Sequence, residues 1–134
     1  MATLYGSLDN SHSPFVRIAV SAPSGPSHFT DALIDTGFTG FVQLPERRAQ
    51  DLGLTPGAVA EVEYADGRTG TIPLAWARVS LGRDAREELI HIQRGNEEVI
   101  VGVELLRIFR KILVLSIADR LVMLVDTFDD LPSR

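Results

Sequence analysis

A carboxylate set between an apolar run and a glycine is the most chemically loaded feature of this sequence. In residues 32–40, Ala-Leu-Ile-Asp-Thr-Gly-Phe-Thr-Gly, an apolar strand delivers Asp35 into a loop containing Gly37 and Gly40. The plain structural alternative is a strand-ending turn in which the Asp side chain hydrogen-bonds nearby backbone. Two more features lie downstream. Asp66-Gly67 stands between β-prone runs, a strong short-range signal for a hairpin. Ile100-Val101-Gly102 comes later, and the apolar positions of residues 103–110 then fit one face of a two-turn helix.

The remaining elements must position these three features. At 134 residues, 45% of them hydrophobic, the chain has the size of one domain and enough apolar mass for a real core. Short β-prone runs separated by turn residues predict a mostly-β fold. Residues 3–8 read as a first strand. Residues 15–22 and 28–34 form a hairpin around Pro23-Ser24-Gly25-Pro26-Ser27, and the second of these strands ends at Asp35. Residues 44–53 read as a short helix, with Pro45 at its first position and Gly53 just past its end. Residues 58–64 and 69–81 flank Ala65-Asp66-Gly67-Arg68. Gly82-Arg83-Asp84 is a turn, residues 88–93 a strand, residues 94–97 a turn and residues 99–101 a very short strand. Residues 112–117 and 121–125 make a last hairpin, and residues 129–134 are expected to be a loose tail. There is no internal repeat, low-complexity tract or linker, so residues 1–134 read as one domain with its core at about 15–125.

Composition removes several classes of function. The net charge is −5 with no Lys/Arg run, so the sequence has no electrostatic footprint for nucleic acid or for an anionic membrane. The absence of cysteine excludes a disulfide framework, a thiolate nucleophile and Cys-ligated metal, and fits a reducing cytoplasm. His12, His28 and His91 are scattered without ligand spacing. They read as surface or partly buried residues, so neither metal nor cofactor is expected. Residues 1–10 show no signal-peptide pattern, and no apolar stretch is long enough for a membrane-spanning helix. A cytoplasmic location is the expectation. Ser11-His12-Ser13 lacks the glycine elbow of a nucleophilic site. Arg47-Arg48 and Arg107, Arg110 and Lys111 read as solvated helix faces. Trp76 reads as core or interface, and Leu105, Leu106, Ile108 and Phe109 as core beneath the Asp35 loop.

The order Asp-Thr-Gly, hairpin, apolar-apolar-Gly, helix resembles that of the retropepsin-like (clan AA) aspartic proteases. Phe38, in Asp-Thr-Gly-Phe, is similar to a prokaryotic single-domain subgroup. The resemblance covers residues 15–125 and implies a closed β-barrel, the half-fold of an acid protease, with one or two short helices and a homodimeric assembly. By resemblance, Asp35 is the catalytic aspartate and Thr36 bonds across a dimer axis. Gly37 and Thr39 complete the active-site loop, and Gly102 is the glycine of the turn beneath it. Residues 62–71 correspond to a flap that covers peptide substrate, with Tyr64, Ala65, Asp66 and Gly67 at or near its tip. Phe38 departs from the small residue common at that place, which bears on substrate preference.

One carboxylate per chain suffices for such chemistry only in a dimer. Hydrolysis needs an ionised carboxylate as base towards water and a protonated one as acid towards the carbonyl. Two carboxylates held ~3 Å apart share a proton, because both cannot ionise. The chain has one Asp-Thr-Gly, and Asp126-Thr127-Phe128 lacks the glycine. A two-fold axis would set Asp35 opposite its copy. Residues 2–8 and 121–125 are the candidate interface strands. The implied function is therefore an aspartic-type endopeptidase acting on peptide or protein substrates. Two rivals are a catalytically silent dimeric peptide-binding module and a monomeric barrel with an accidental triplet.

Overall fold

Alternation of apolar and polar residues drives most of the chain into strands whose inner faces share one core. The computed structural model describes residues 3–95 and 97–132. In chain order the strands are β1 (Leu4–Tyr5), β2 (Ser7–Leu8), β3 (Pro14–Ser21), β4 (His28–Ile34) and β5 (Val42–Pro45), followed by helix α1 (Glu46–Asp51). Then come β6 (Ala58–Glu63), β7 (Thr69–Leu81), β8 (Asp84–Gln93) and β9 (Ile100–Val101), helix α2 (Val103–Ile108), β10 (Ile112–Ser116) and β11 (Leu121–Val125). A 3-10 turn over Phe128–Asp130 follows.

Eight strands form one sheet in the order β2-β3-β4-β9-β5-β8-β7-β6. A further pairing of β3 with β7, Val20 opposite Val79, closes six of them into a barrel. Closure leaves few free edges and gives the inward residues a common interior. Val16, Ile18, Val20, Ala32, Leu44, Ala75, Ala77, Val79, Ile90 and Val101 fill it. Each fully buried Val, Leu or Ile side chain stabilises the fold by about 1.5–3 kcal/mol relative to exposure. A second sheet, β1-β11-β10, packs Val122 and Leu124 against this core.

The mostly-β expectation holds, with several local differences. The strand expected over residues 3–8 breaks at Gly6. There the chain leaves β11, through Gly6 N–H to Val122 O at 2.9 Å, and joins β3. A Cβ on Gly6 would stand 2.1 Å from Phe15 O, so only glycine lets the chain cross at this point. The first helix is shorter than expected. Pro45 ends β5 and, with an extended ψ of 143°, takes the N-cap position of the helix instead of entering it. Strand β8 begins at Asp84, earlier than expected, because Leu81 pairs with Asp84 across a two-residue turn. Trp76 is not core. It alternates with buried Ala75 and Ala77, and so lies 55% exposed on the outer face opposite Leu89. Of the residues expected beneath the loop, Leu105 and Phe109 are buried, while Leu106 and Ile108 are only partly so.

The chain's end is more ordered than a loose tail. Thr127 and Asp130 form a reciprocal capping box around the 3-10 turn; residues 133–134 lie outside the described residues, as does Asn96 in the expected turn at 94–97. Lys111, nearly buried, donates to Asp126 at 2.5 Å and ties α2's exit to this end. Strand β11 is no free interface strand, since both its edges are taken by β1 and β10. The unpaired edges of this sheet belong to β1 and β10, among the described residues.

Candidate active site

Strand β4 buries Ala32 and Ile34 and so aims the next residue, Asp35, out of the barrel's end. Short β9 lies between β4 and β5, parallel to the first and antiparallel to the second. Carbonyls of β9 and of the residue before it fix the approach: Leu33 N–H donates to Val99 O at 2.8 Å, and Asp35 N–H to Val101 O at 2.9 Å. The loop then turns on Asp35 itself. Gly37 N–H donates to Asp35 Oδ1 at 2.9 Å, and Phe38 N–H to Asp35 O at 3.1 Å. The Asx-type turn expected of any strand-ending Asp is thus present, and it orients the half-buried carboxylate. Thr36 and Thr39 are exposed, and their hydroxyls make no hydrogen bond to the described residues.

Gly102 sets the height of this loop. Its N–H donates to Phe41 O, while Val103 and Glu104 at the start of α2 donate to Phe38 O and Gly40 O at 3.0 and 3.2 Å. A Cβ on Gly102 would lie 2.3 Å from Phe38 O and 2.4 Å from Gly40 O. The loop therefore rests directly on the backbone of the Ile100-Val101-Gly102 turn.

A cleft of about 860 Å³ opens between this loop and the β6–β7 hairpin. Gly37, Phe38, Thr39 and Gly40 form one side, and Ala60 to Tyr64 with Ile72 form the other. Asp35 and Thr36 lie outside the lining, next in the chain to Gly37. At the hairpin tip, Tyr64 and Arg68 pair through Tyr64 N–H to Arg68 O at 2.8 Å, and Gly67 turns the chain at φ +85°. Asp66 accepts from the Arg68 N–H and from Arg68 Nε, at 3.0 and 2.6 Å. Tyr64 lines the cleft and lays its ring over Gly70, 3.0 Å from where a Cβ would stand. Ala65, Asp66 and Gly67 extend past the lining and are exposed.

Side chains that the sequence did not mark as site residues complete the cleft. Gln43 on β5 and His91 on β8 are register partners, and Gln93 follows two residues on, all three half-buried. His91 meets the Phe38 ring edge-on at 5.3 Å. Partial burial pushes the His91 imidazole below its ordinary pKa, favouring the neutral ring. At the rim, Arg94 Nε donates to Glu46 Oε2 at 2.8 Å, and that bond and the Glu46 charge raise the Arg94 pKa. The parallel β5–β8 pairing that gathers Gln43 and His91 joins residues far apart in sequence, so no local signal marks them. Among the described residues no cluster of three His, Cys, Asp or Glu could hold a metal ion. No helix among the described residues is long and apolar enough to cross a membrane.

Solved structures share this architecture. A retropepsin-like aspartic protease from Rickettsia conorii aligns with a TM-score of 0.65 at 14% identity, covering 92% of this chain and 90% of that one. EIAV protease, solved in complex with the inhibitor HBY-793, aligns with a TM-score of 0.60 at 13% identity, covering 81% of this chain and 99% of that one. No family model and no curated protein matches the chain. The fold is retropepsin-like, as the order of motifs led one to expect.

Proposed function

We propose that the chain is an aspartic-type endopeptidase whose active site forms on the two-fold axis of a homodimer, with Asp35 supplied by each subunit. The observation that carries the reading is the half-buried Asp35 carboxylate, oriented by Gly37 N–H beside a cleft walled by the β6–β7 hairpin in a retropepsin-like fold. Gly37, whose N–H binds the Asp35 carboxylate, lines that cleft. In the dimer one Asp35 takes a proton from water while the other gives its proton to the scissile carbonyl oxygen. The tetrahedral intermediate then collapses as the leaving nitrogen is protonated, and the C–N bond breaks. Neither metal nor cofactor is required.

The other residues have supporting roles in this proposal. The free Thr36 hydroxyl is available to bond across the axis. Gly37 and Thr39 border the substrate, and Gly102 holds the loop at its height. Tyr64 walls the cleft, while Ala65, Asp66 and Gly67 carry the tip that closes over extended peptide. A second copy of the chain can add along β10, whose edge is apolar, uncharged and unpaired among the described residues, with Leu115 44% exposed. The proposed setting is cytoplasmic, with peptide or protein as substrate and no nucleic acid or membrane partner.

The test is cleavage of a diverse peptide mixture across pH 3–8 by the wild type and by Asp35→Asn. Asn retains the oxygen that accepts from Gly37 N–H but cannot act as the base. The proposal expects cleavage by the wild type and none by the folded, dimeric variant. Equal cleavage by both removes Asp35 from the chemistry.

A further inference from the structure

The cleft wall holds three polar side chains that the fold itself does not use. Gln43, His91 and Gln93 share one face of the β5–β8 ladder, because register partners and residues two apart point the same way. All three are half-buried and line the cleft, yet none makes a side-chain hydrogen bond to the described residues. Half-buried amides without protein partners must be satisfied by water or by a ligand.

The surroundings narrow the ligand. Phe38 forms the floor, and its ring is confined by bare backbone on two sides: a Cβ on Gly40 would lie 2.4 Å from it, and one on Gly102 2.7 Å. Across the cleft stand Ala60, Val62 and Ile72 of the hairpin, with Ala60 and Ile72 in register. Glu61 and Glu63 alternate with them; both are exposed and also border the cleft. At the rim, Arg94 is already bonded to Glu46. Among the described residues no unpaired Lys or Arg lines the cleft to await a carboxylate. An aliphatic side chain would displace water from three polar groups and replace none of its hydrogen bonds. A carboxamide both donates and accepts, as the two glutamines and a neutral imidazole require.

We propose that the pocket formed by Gln43, His91 and Gln93 over the Phe38 ring is a subsite that selects a Gln or Asn side chain of an extended peptide. It rests on the reading of the cleft as a peptide-binding groove, and it is independent of catalysis.

The probe is a set of fluorescein-labelled octapeptides on an Ala/Val background, with Gln, Asn, Leu, Glu or Lys at each position in turn. Binding is measured by polarisation to the Asp35→Asn protein, which leaves the peptides intact. At one position, Gln or Asn peptides bind about three- to tenfold more tightly than Leu, the size of one or two net hydrogen bonds. Gln43→Leu with Gln93→Leu reverses that order, and Gln93→Ala alone weakens it if the double variant does not fold. Leu equal to or tighter than Gln at every position, a Gln preference that survives in these variants, or no binding by any peptide overturns the proposal. Cleavage of the same set by the wild type separates the two readings. Loss of cleavage with Gln preference retained counts against the catalytic role of Asp35 alone. Cleavage with Leu preferred in binding counts against the pocket alone.

Discussion

Gly102→Ala tests whether the loop carrying Asp35 is held at its height by bare backbone. Gly102 is extended, at φ −113° and ψ −171°, so alanine suffers no backbone strain there and the requirement is purely one of space. The added methyl would stand 2.3 Å from Phe38 O and 2.4 Å from Gly40 O. Ordinary contact needs about 3.5 Å, so both carbonyls would have to withdraw by roughly 1 Å. Those same oxygens accept from Val103 N and Glu104 N at 3.0 and 3.2 Å, and the withdrawal breaks both bonds. Overpacking costs about 1–3 kcal/mol and each of the two lost hydrogen bonds about 1 kcal/mol, so the expected loss is about 3–5 kcal/mol. With a urea slope of about 2 kcal/mol/M this lowers the midpoint by about 2 M. Gly57→Ala is the control, because nothing lies within 4 Å of its added Cβ. If the two variants unfold at the same midpoint, the loop does not rest on Gly102 as described.

Other perturbations give smaller or differently signed effects. Lys111→Met removes the nearly buried ammonium that binds Asp126 and leaves that carboxylate without this cation; we expect a loss of about 2 kcal/mol in thermal or chemical unfolding. Asp66→Ala removes an exposed pair with Arg68, so global stability shifts by less than about 1 kcal/mol, while amide exchange at the hairpin tip accelerates. His91 has a folded-state pKa below its unfolded value of about 6.5, so below that value the unfolded chain binds more protons. Its burial therefore subtracts stability progressively as pH falls from about 6.5 through the lowered pKa, and His91→Gln should flatten that part of the stability–pH profile. An unchanged profile would mean that His91 is not desolvated against Phe38.

Much of this site is legible in local sequence, and the rest depends on pairing at a distance. The strand at residues 69–81 and the Asp-Gly tip of its hairpin are visible because alternation and turn chemistry act over a few residues. The loop from Asp35 to Gly40 and the turn at Gly102 are each local as well. Their contact is not, since it needs β9 to enter between β4 and β5. His91 looks like any scattered histidine until the parallel β5–β8 pairing sets it beside Gln43 and against Phe38. The break at Gly6 is equally invisible, because the obstacle that demands glycine is the carbonyl of Phe15 on another strand. Trp76 misleads for a different reason: its ring suggests burial, but the phase of β7 gives the inward positions to Ala75 and Ala77.

The central claim is that two chains share one acid–base site, and subunit mixing tests it most directly. Wild-type protein is dissociated and reassembled with a ninefold excess of Asp35→Asn chain, and peptide cleavage is measured per wild-type chain. With random pairing, about one wild-type chain in ten meets a wild-type partner, so activity falls to about a tenth. Activity per wild-type chain that is unchanged by the excess would mean that each subunit works alone, and the shared site would be wrong.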